Sequence, residues 1–136
     1  MATAAQIQCS VITPEEQLLD TTATAVVIPA HDGQIGVLTG RAPLLCELGT
    51  GVLRVDTADQ GPMAFYVDGG FAQVLDNEVT VLTERAAAAE DINRADAQKA
   101  LAEAEQMAMN DLVSVEARSV AIARAKTQLS IAKKAS

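Results

Sequence analysis

The composition of this chain changes abruptly near residue 85, and that change limits the possible folds more than any single motif does. All eight glycines and all four prolines of the 136 residues lie before residue 71, and no lysine precedes Lys99. Alanine accounts for 16 of the last 51 residues. Because glycine and proline mark turns, whereas alanine has the highest helix propensity, we predict two structural units, residues 1–86 and residues 87–136.

The first unit has the pattern of short β-strands separated by turns. Ile7, Cys9 and Val11 alternate with polar residues, which is the two-residue period of a strand with one buried face. Turn residues recur roughly every 8–12 positions, and Asp76-Asn77 is typical of a two-residue hairpin. No helix-length segment separates the strands, so they should pair mainly antiparallel in two packed sheets. The predicted fold of this unit is an antiparallel β-sandwich.

The second unit is predicted to form an antiparallel hairpin of two helices. Asp91 is predicted to cap the first helix and Asn110-Asp111 the second, which runs from Leu112 to about Ala132. The side chains available to hold the helices together are mostly alanines, which bury little apolar area. We therefore expect a hairpin able to move on the sandwich, with a rigidly packed hairpin as the alternative. The large apolar residues of the second helix share one stripe, formed by Leu112, Val115, Ile122 and Leu129.

Charge and composition exclude several classes of function. The net charge is −8, and it lies entirely in residues 1–85, which contain 11 acidic and three basic residues. An excess of acidic residues argues against nucleic-acid binding, because phosphates require a basic surface. With only three aromatic residues and no tryptophan, the chain lacks stacking platforms for bases or sugars. We expect no nucleic-acid partner.

Residues suited to catalysis or metal binding are also scarce. His31 is the only histidine, which leaves no histidine relay and no ordinary histidine metal site. Cys9 and Cys46 do not form a C-x-x-C pair and are expected to be reduced thiols of a cytosolic protein. We find no secretory signal, and no apolar run approaches the ~20 residues that a membrane span requires. No catalytic residue, metal ligand or membrane insertion is predicted.

The segment from Asp91 to Ala95 admits two interpretations. An acidic cap followed by Arg94 one turn later places a guanidinium near a helix N-terminus, where the helix dipole favours anions. The same spacing is that of a simple cap with an ion pair between Asp91 and Arg94. The residues alone leave both interpretations open.

Five segments occur in a distinctive order along the chain. They are Val11-Ile12-Thr13-Pro14-Glu15, residues 32–38 (DGQIGVL), residues 42–45 (APLL) with Leu48 and Gly51, residues 67–74 (VDGGFAQV) and residues 79–83 (VTVLT). In this order, and followed by an alanine-rich tail, the segments resemble the epsilon subunit of bacterial F-type ATP synthases. The resemblance extends over about residues 6–95, with a tail of matching length.

The resemblance implies a ten-stranded β-sandwich followed by a two-helix hairpin, without a catalytic centre of its own. It implies a rotor subunit that binds the gamma subunit of the central stalk and the ring of c subunits, and thereby couples proton translocation to ATP synthesis. In many such subunits the hairpin can extend into the alpha/beta catalytic head and inhibit ATP hydrolysis. Bases of the second helix, among them Arg118 and Arg124, are candidates for contacts with acidic surfaces of that head. The implied location is peripheral, on the cytoplasmic side of the bacterial inner membrane.

The resemblance also points to interface residues in the first unit. His31, Asp32 and Gln34 belong to the loop that contacts the c ring, with Gln34 at a place where an acidic residue can stand. Arg41 replaces the histidine that is usual before Ala-Pro-Leu, in the segment that faces the stalk. These four residues are the interface candidates of the first unit.

A nucleotide-related motif of the family is present only in part. Asp91, Arg94 and Ala95 match it, but Glu90 stands where the family has an aliphatic residue. Because a carboxylate repels a triphosphate, we predict weak or absent ATP binding to the hairpin and no cofactor.

The alternative from a different class is a stand-alone ligand-binding β-sandwich protein with a helical appendage. A metal-dependent enzyme of that shape would need several histidines, and the chain has one. Stable association with a gamma-like stalk protein would distinguish the two hypotheses.

Overall fold

The first unit consists of ten strands in two five-stranded sheets. The computed structural model describes residues 6–135, with side chains through Ala132, and divides between Ala88 and Ala89 into two compact units. The strands are β1 Ile7–Ile12, β2 Gln17–Ala23, β3 Ala25–Ala30, β4 Gly33–Val37, β5 Leu44–Glu47, β6 Thr50–Thr57, β7 Gly61–Asp68, β8 Phe71–Leu75, β9 Glu78–Leu82 and β10 Arg85–Ala88.

The two sheets have different strand orders, and both are mainly antiparallel. The first sheet has the order β2-β1-β9-β8-β5, and the second has the order β10-β7-β6-β3-β4. Among the described strands, neighbours pair antiparallel except for β1 and β9, which are parallel. The predicted sandwich of mainly antiparallel strands is therefore confirmed.

Alternating side chains of both sheets meet in one apolar core. On β1, Ile7, Cys9 and Val11 are fully buried whereas the intervening residues are not, as the sequence alternation predicts. From the second sheet, Ile28 and Leu53 are equally inaccessible to solvent. Since full burial of such a side chain stabilises the fold by about 1.5–3 kcal/mol, this core is the main source of stability in the first unit.

Two tight turns fix the register of the first sheet. Asp76 and Asn77 have φ angles of 49° and 62°, as a two-residue hairpin between β8 and β9 requires. Gly70 precedes β8 with a φ of 103°, and a Cβ at this position would lie 2.0 Å from the carbonyl oxygen of Leu82. A glycine is therefore required at residue 70.

The first unit ends at Ala88, two residues after the boundary predicted at residue 86. Arg85–Ala88 forms β10 and pairs with the end of β7, from Phe65 to Asp68. Alanine favours helix over strand, but the hydrogen-bonded ladder with β7 overrides that local preference.

The second unit contains two helices, as predicted, but the first one begins later. Asp91, the predicted cap, lies instead in a 3₁₀ turn, and Asn93 is the cap because its side chain accepts a hydrogen bond of 3.0 Å from the backbone of Asp96. The prediction for Asp91 is wrong because the chain first makes this extra turn and then becomes extended at Asn93. The elements are the 3₁₀ turn Ala89–Asp91, helix α1 Arg94–Glu105 and helix α2 Leu112–Ala135.

The predicted cap of α2 is confirmed. The backbone N–H of Ser114 donates to Asp111 Oδ1 at 2.8 Å, and the backbone N–H of Asp111 donates to Ser114 Oγ at 3.1 Å. This reciprocal arrangement is a capping box, and it begins the helix at Leu112.

The side of α2 that is buried differs from the predicted stripe. Leu112 is 85% exposed, because α1 ends at Glu105 and no helix lies opposite the start of α2. Among the hairpin side chains that the structure describes, those of residues 94–132, the buried ones are small with a single exception: Ala97, Ala104, Ala125, Ile131 and Ala132. None of the described helices combines the length and apolar character needed to cross a membrane.

Candidate functional site

The first sheet carries large apolar side chains on the face that points away from the core. Leu45 is 69% exposed, Phe71 54%, Leu82 51% and Leu75 44%, and half-buried Ile12 lies beside them. We call these five residues the apolar outer face. Monomeric proteins rarely expose contiguous apolar patches without an interaction that covers them.

The strand register aligns three of these residues in one row. Leu82 on β9 lies directly between Ile12 on β1 and Phe71 on β8, so the three side chains form a row across neighbouring strands. On the same face Gln73 separates Phe71 from Leu75, and Leu45 lies opposite Gln73, diagonal to both apolar residues. Adjacent side chains on one face of a sheet lie within contact distance, so the row presents one surface to a partner.

The apolar outer face is bordered by acidic residues. Glu47 lies opposite Phe71, Glu78 lies opposite Leu75, and Asp20 on β2 occupies the same side of the sheet. None of the five strands of this sheet contains a lysine or an arginine. A complementary partner surface would be apolar with a basic border.

The sequence analysis does not predict the apolar outer face, although the sequence contains a signal for it. A strand with one buried face should alternate, and β8 and β9 do so for Ala72, Val74, Val79 and Val81, which are buried. The intervening positions include Phe71, Leu75 and Leu82, which are also apolar. Apolar residues on both faces of a strand, including the face that points away from the core, indicate a binding surface.

The predicted c-ring loop lies at one end of β5. The backbone N–H of His31 donates to the carbonyl of Glu47 at 2.8 Å, and His31 and Asp32 line an open hollow of about 350 Å³ with Cys46 and Glu47. Because Glu47 pairs with Phe71, the hollow adjoins the apolar outer face. His31, Asp32 and the nearby Gln34 are all exposed.

Arg41 lies in the loop that precedes the opposite end of β5. The side chain is exposed, and the backbone N–H donates to the carbonyl of Leu38 at 3.2 Å. The loop is attached to the β8–β9 turn because the N–H of Gly40 donates to Asn77 Oδ1 at 2.8 Å. The structure therefore separates Arg41 from the His31 loop by the length of β5.

Neither cysteine is suited to act as a nucleophile. Burial, together with a smaller effect of the nearby Asp20 carboxylate, raises the pKa of the Cys9 thiol to about 12. Partial burial also raises the pKa of Cys46, with a backbone hydrogen bond from Ala72 acting in the opposite direction. A thiol whose pKa is raised is protonated and unreactive at neutral pH.

The two arginine candidates of the second helix are only partly accessible to solvent. Arg118 and Arg124 are half-buried, and Arg118 Nη2 donates to the carbonyl of Glu105 at 3.2 Å, which satisfies a free carbonyl in the last turn of α1. Arg118 thus faces α1 in this conformation.

The nucleotide-motif candidates lie on two sides of the cap of α1. Asp91 belongs to the 3₁₀ turn, whereas Arg94 and Ala95 are the first residues of α1, and all three are exposed. Among the described residues, no ion pair joins Asp91 to Arg94. The simple cap with an ion pair, one of the two interpretations of this segment, is therefore wrong.

Comparison with known proteins gives concordant matches. The family model described as ATP synthase, Delta/Epsilon chain, beta-sandwich domain matches residues 6–89. The ATP synthase epsilon chain of Rhodopirellula baltica is 45% identical over 123 residues, covering 90% of this chain and 95% of the relative. That of Synechococcus sp. (strain JA-2-3B'a(2-13)) is 48% identical over 97 residues, covering 71% and 70%.

A solved structure agrees with these relatives. A chain in the cryo-EM structure of Euglena gracilis mitochondrial ATP synthase, OSCP/F1/c-ring in rotational state 1, superposes with a TM-score of 0.82 and 26% identity. The match covers 93% of this chain and 81% of the other. Such matches do not support the alternative of a stand-alone ligand-binding sandwich. The chain belongs to the ATP synthase epsilon chain family.

Proposed function

We propose that this chain is a non-catalytic rotor subunit of an F-type ATP synthase, which links the gamma subunit to the c ring and thereby couples proton translocation to ATP synthesis. The observation that carries the proposal is the apolar outer face on a chain whose relatives are ATP synthase epsilon chains. The complex would be peripheral on the cytoplasmic side of the bacterial inner membrane. Raised thiol pKa values and a single, exposed histidine support a role without chemistry of its own.

The sandwich supplies surfaces for both partners. The apolar outer face would bind the gamma subunit, because its size and acidic border suit an apolar patch with basic neighbours. The loop with His31, Asp32 and Gln34 would contact the c ring, and Arg41 would face the stalk. The structure supports two contacts because the His31 loop and Arg41 lie at opposite ends of β5.

The hairpin has a regulatory role in this proposal. Arg118 would meet an acidic surface of the alpha/beta head only after α2 separates from α1, because it donates to the carbonyl of Glu105 in the closed hairpin. Arg124, which is also half-buried, is the second candidate for such a contact. ATP would bind weakly or not at all near Asp91, Arg94 and Ala95. The 3₁₀ turn places Asp91 before the cap of α1, and Glu90 adds a second negative charge beside it.

Association with the gamma subunit tests the first part of the proposal. The double variant Phe71→Ser with Leu82→Ser removes two large exposed side chains of the apolar outer face and should weaken co-purification with gamma by about tenfold or more, since both apolar contacts are lost. The control is Ala58→Ser with Gln60→Ser, two exposed positions in the turn between β6 and β7 of the other sheet. Equal association of both double variants with gamma would refute the assignment.

The regulatory part has its own test. A chain that ends after Ala88 keeps all ten strands and lacks the hairpin. ATP hydrolysis by the assembled complex should rise with this chain if the hairpin inhibits. Unchanged hydrolysis would mean that it does not, and saturable binding of ATP to the full-length chain in calorimetry would contradict the expected weakness of nucleotide binding.

A further inference from the structure

The connection between α1 and α2 and the first turn of α2 together expose five large apolar side chains. Leu112 is 85% exposed and Val113 77%, while Met109 is 59%, Val115 42% and Met107 38% exposed. We call residues 103–117, which contain all five, the hairpin tip. The exposure of consecutive large apolar residues is costly in water unless a partner covers them.

Hydrogen bonds fix the backbone at the two sides of the tip. The capping box between Asp111 and Ser114 fixes the start of α2, which presents Leu112 and Val113 at its first two positions. At the other side, the N–H of Met107 donates to the carbonyl of Ala104 at 3.1 Å. Leu112 and Val113 are therefore presented on a capped helix turn, which lowers the entropic cost of docking there.

The tip is also strongly acidic. Residues 103–117 contain four carboxylates and no lysine, arginine or histidine. All four carboxylates lie on the exposed surface: Glu103, Glu105, Asp111 and Glu116. The nearest base in sequence, Arg118, is directed to the carbonyl of Glu105.

The negative charge and the exposed apolar side chains of the tip together favour one kind of binding partner over the others. A second copy of the chain would bring two acidic tips together, and an anionic lipid surface or a nucleic acid would repel the same carboxylates. A protein surface with an apolar hollow and basic residues around it would satisfy both the apolar side chains and the carboxylates.

We propose that the hairpin tip docks in an apolar hollow bordered by lysine or arginine on another subunit of the ATP synthase. The proposal rests on the proposed function, because it requires assembly of the chain into that complex. It differs from the contact expected of Arg118 and Arg124. The carboxylates of the tip would bind basic partner residues, whereas the two arginines would bind acidic ones.

Photo-crosslinking in the assembled complex tests the docking. A photoreactive amino acid replaces Leu112, and the matched control carries it at Gln98, an exposed position in α1. We expect Leu112 to crosslink to apolar residues of another subunit that have lysine or arginine beside them, with a yield at least about fivefold above that from Gln98. The cross-linked residues are identified by peptide mass spectrometry.

The charge requirement is tested in the same crosslinking background. Glu105→Gln with Glu116→Gln should lower the Leu112 yield about threefold at low salt, and the difference should shrink at about 1 M salt, where the Debye length is ~3 Å. Glu15→Gln with Glu16→Gln makes the same change in net charge on the sandwich and should leave the yield unchanged.

The outcomes separate this proposal from the one on which it rests. If the native chain assembles but Leu112 crosslinks no better than Gln98, or crosslinks to a second copy, to lipid or to an acidic surface, the docking proposal is wrong and the rotor function stands. If the native chain does not assemble with ATP synthase subunits, both are wrong. If Glu105→Gln with Glu116→Gln leaves the crosslinking yield from position 112 unchanged, the proposal that basic residues border the hollow is also wrong.

Discussion

The sandwich and the hairpin achieve stability in different ways. The sandwich buries large residues completely, among them Ile7, Ile28 and Leu53, whereas four of the five buried side chains described in the hairpin are alanines and Ile131 is the exception. Alanine contributes helix propensity but little apolar area. The stability of the sandwich therefore depends on tertiary packing. The stability of the hairpin depends on local helix formation, helix caps and a single large side chain.

The largest effect should come from a backbone position in the sandwich. Gly70→Ala places a Cβ 2.0 Å from the carbonyl oxygen of Leu82 at a φ of 103° and should destabilise the sandwich by roughly 4 kcal/mol. Urea unfolding of the intact chain measures the loss. Gly36→Ala is the control, because no atom lies within 4 Å of its Cβ, and its stability should change by less than about 0.5 kcal/mol. A Gly70→Ala variant as stable as this control would contradict the tight turn.

One substitution made in both units compares them directly. Leu53→Ala should cost roughly 3 kcal/mol, because it leaves a cavity in the closed core of the sandwich. Leu112→Ala removes the same atoms from a side chain that is 85% exposed and should change stability by less than about 0.5 kcal/mol. Thermal unfolding followed by circular dichroism measures both, and equal losses would erase the contrast between the units.

Local opening should also differ between the units. Backbone amides of α1 and α2 should exchange with deuterium at least about tenfold faster than those of β1, β6 and β8, since fewer large buried contacts hold the helices closed. Hydrogen exchange read by mass spectrometry gives both rates in one experiment. Slower exchange in the hairpin than in the central strands would indicate that its stability has another source.

The smallest effect concerns the cap of α2. Hydrogen bonds from Ser114 lower the pKa of Asp111 from its ordinary value of 3.8, so the ionised carboxylate stabilises the folded helix. That contribution is fully present above pH 4 and is lost as the pH falls through the lowered pKa. Circular dichroism between about pH 5 and pH 2 should show a loss of helix that is smaller in Asp111→Asn, which retains a capping oxygen without a titratable group. An identical pH profile for both chains would exclude Asp111 as its cause.

The strands with a clear alternation could be predicted from the sequence, and β10 could not. Ile7, Cys9 and Val11 bury one face because each alternate position is apolar, a property that is local. The strand at Arg85–Ala88 has no such pattern and exists because β7 offers a free edge to pair with. The cap at Asp91 was wrong for a similar reason, since the 3₁₀ turn before Asn93 has no distinct local signal.

The candidate site was predicted only in its loops. The resemblance to the epsilon subunit points to the His31 loop and to Arg41, whereas local composition marks these segments only as turns. Phe71 and Leu82 were not singled out, because exposure of an apolar residue depends on which strands lie next to it and on which side the core lies. The register that aligns Ile12, Leu82 and Phe71 joins distant parts of the chain, so no local pattern specifies it.

The parallel pairing of β1 with β9 has a consequence for biosynthesis. Gln8 pairs with Glu78, so 70 positions separate the partners along the chain. On the ribosome, β1 can pair with β9 only after the seven strands between them, β2 to β8, have been translated. Until then β1 has β2 as its sole neighbour and leaves an open edge. The nascent chain should therefore depend on chaperone protection until β9 emerges and closes the sheet.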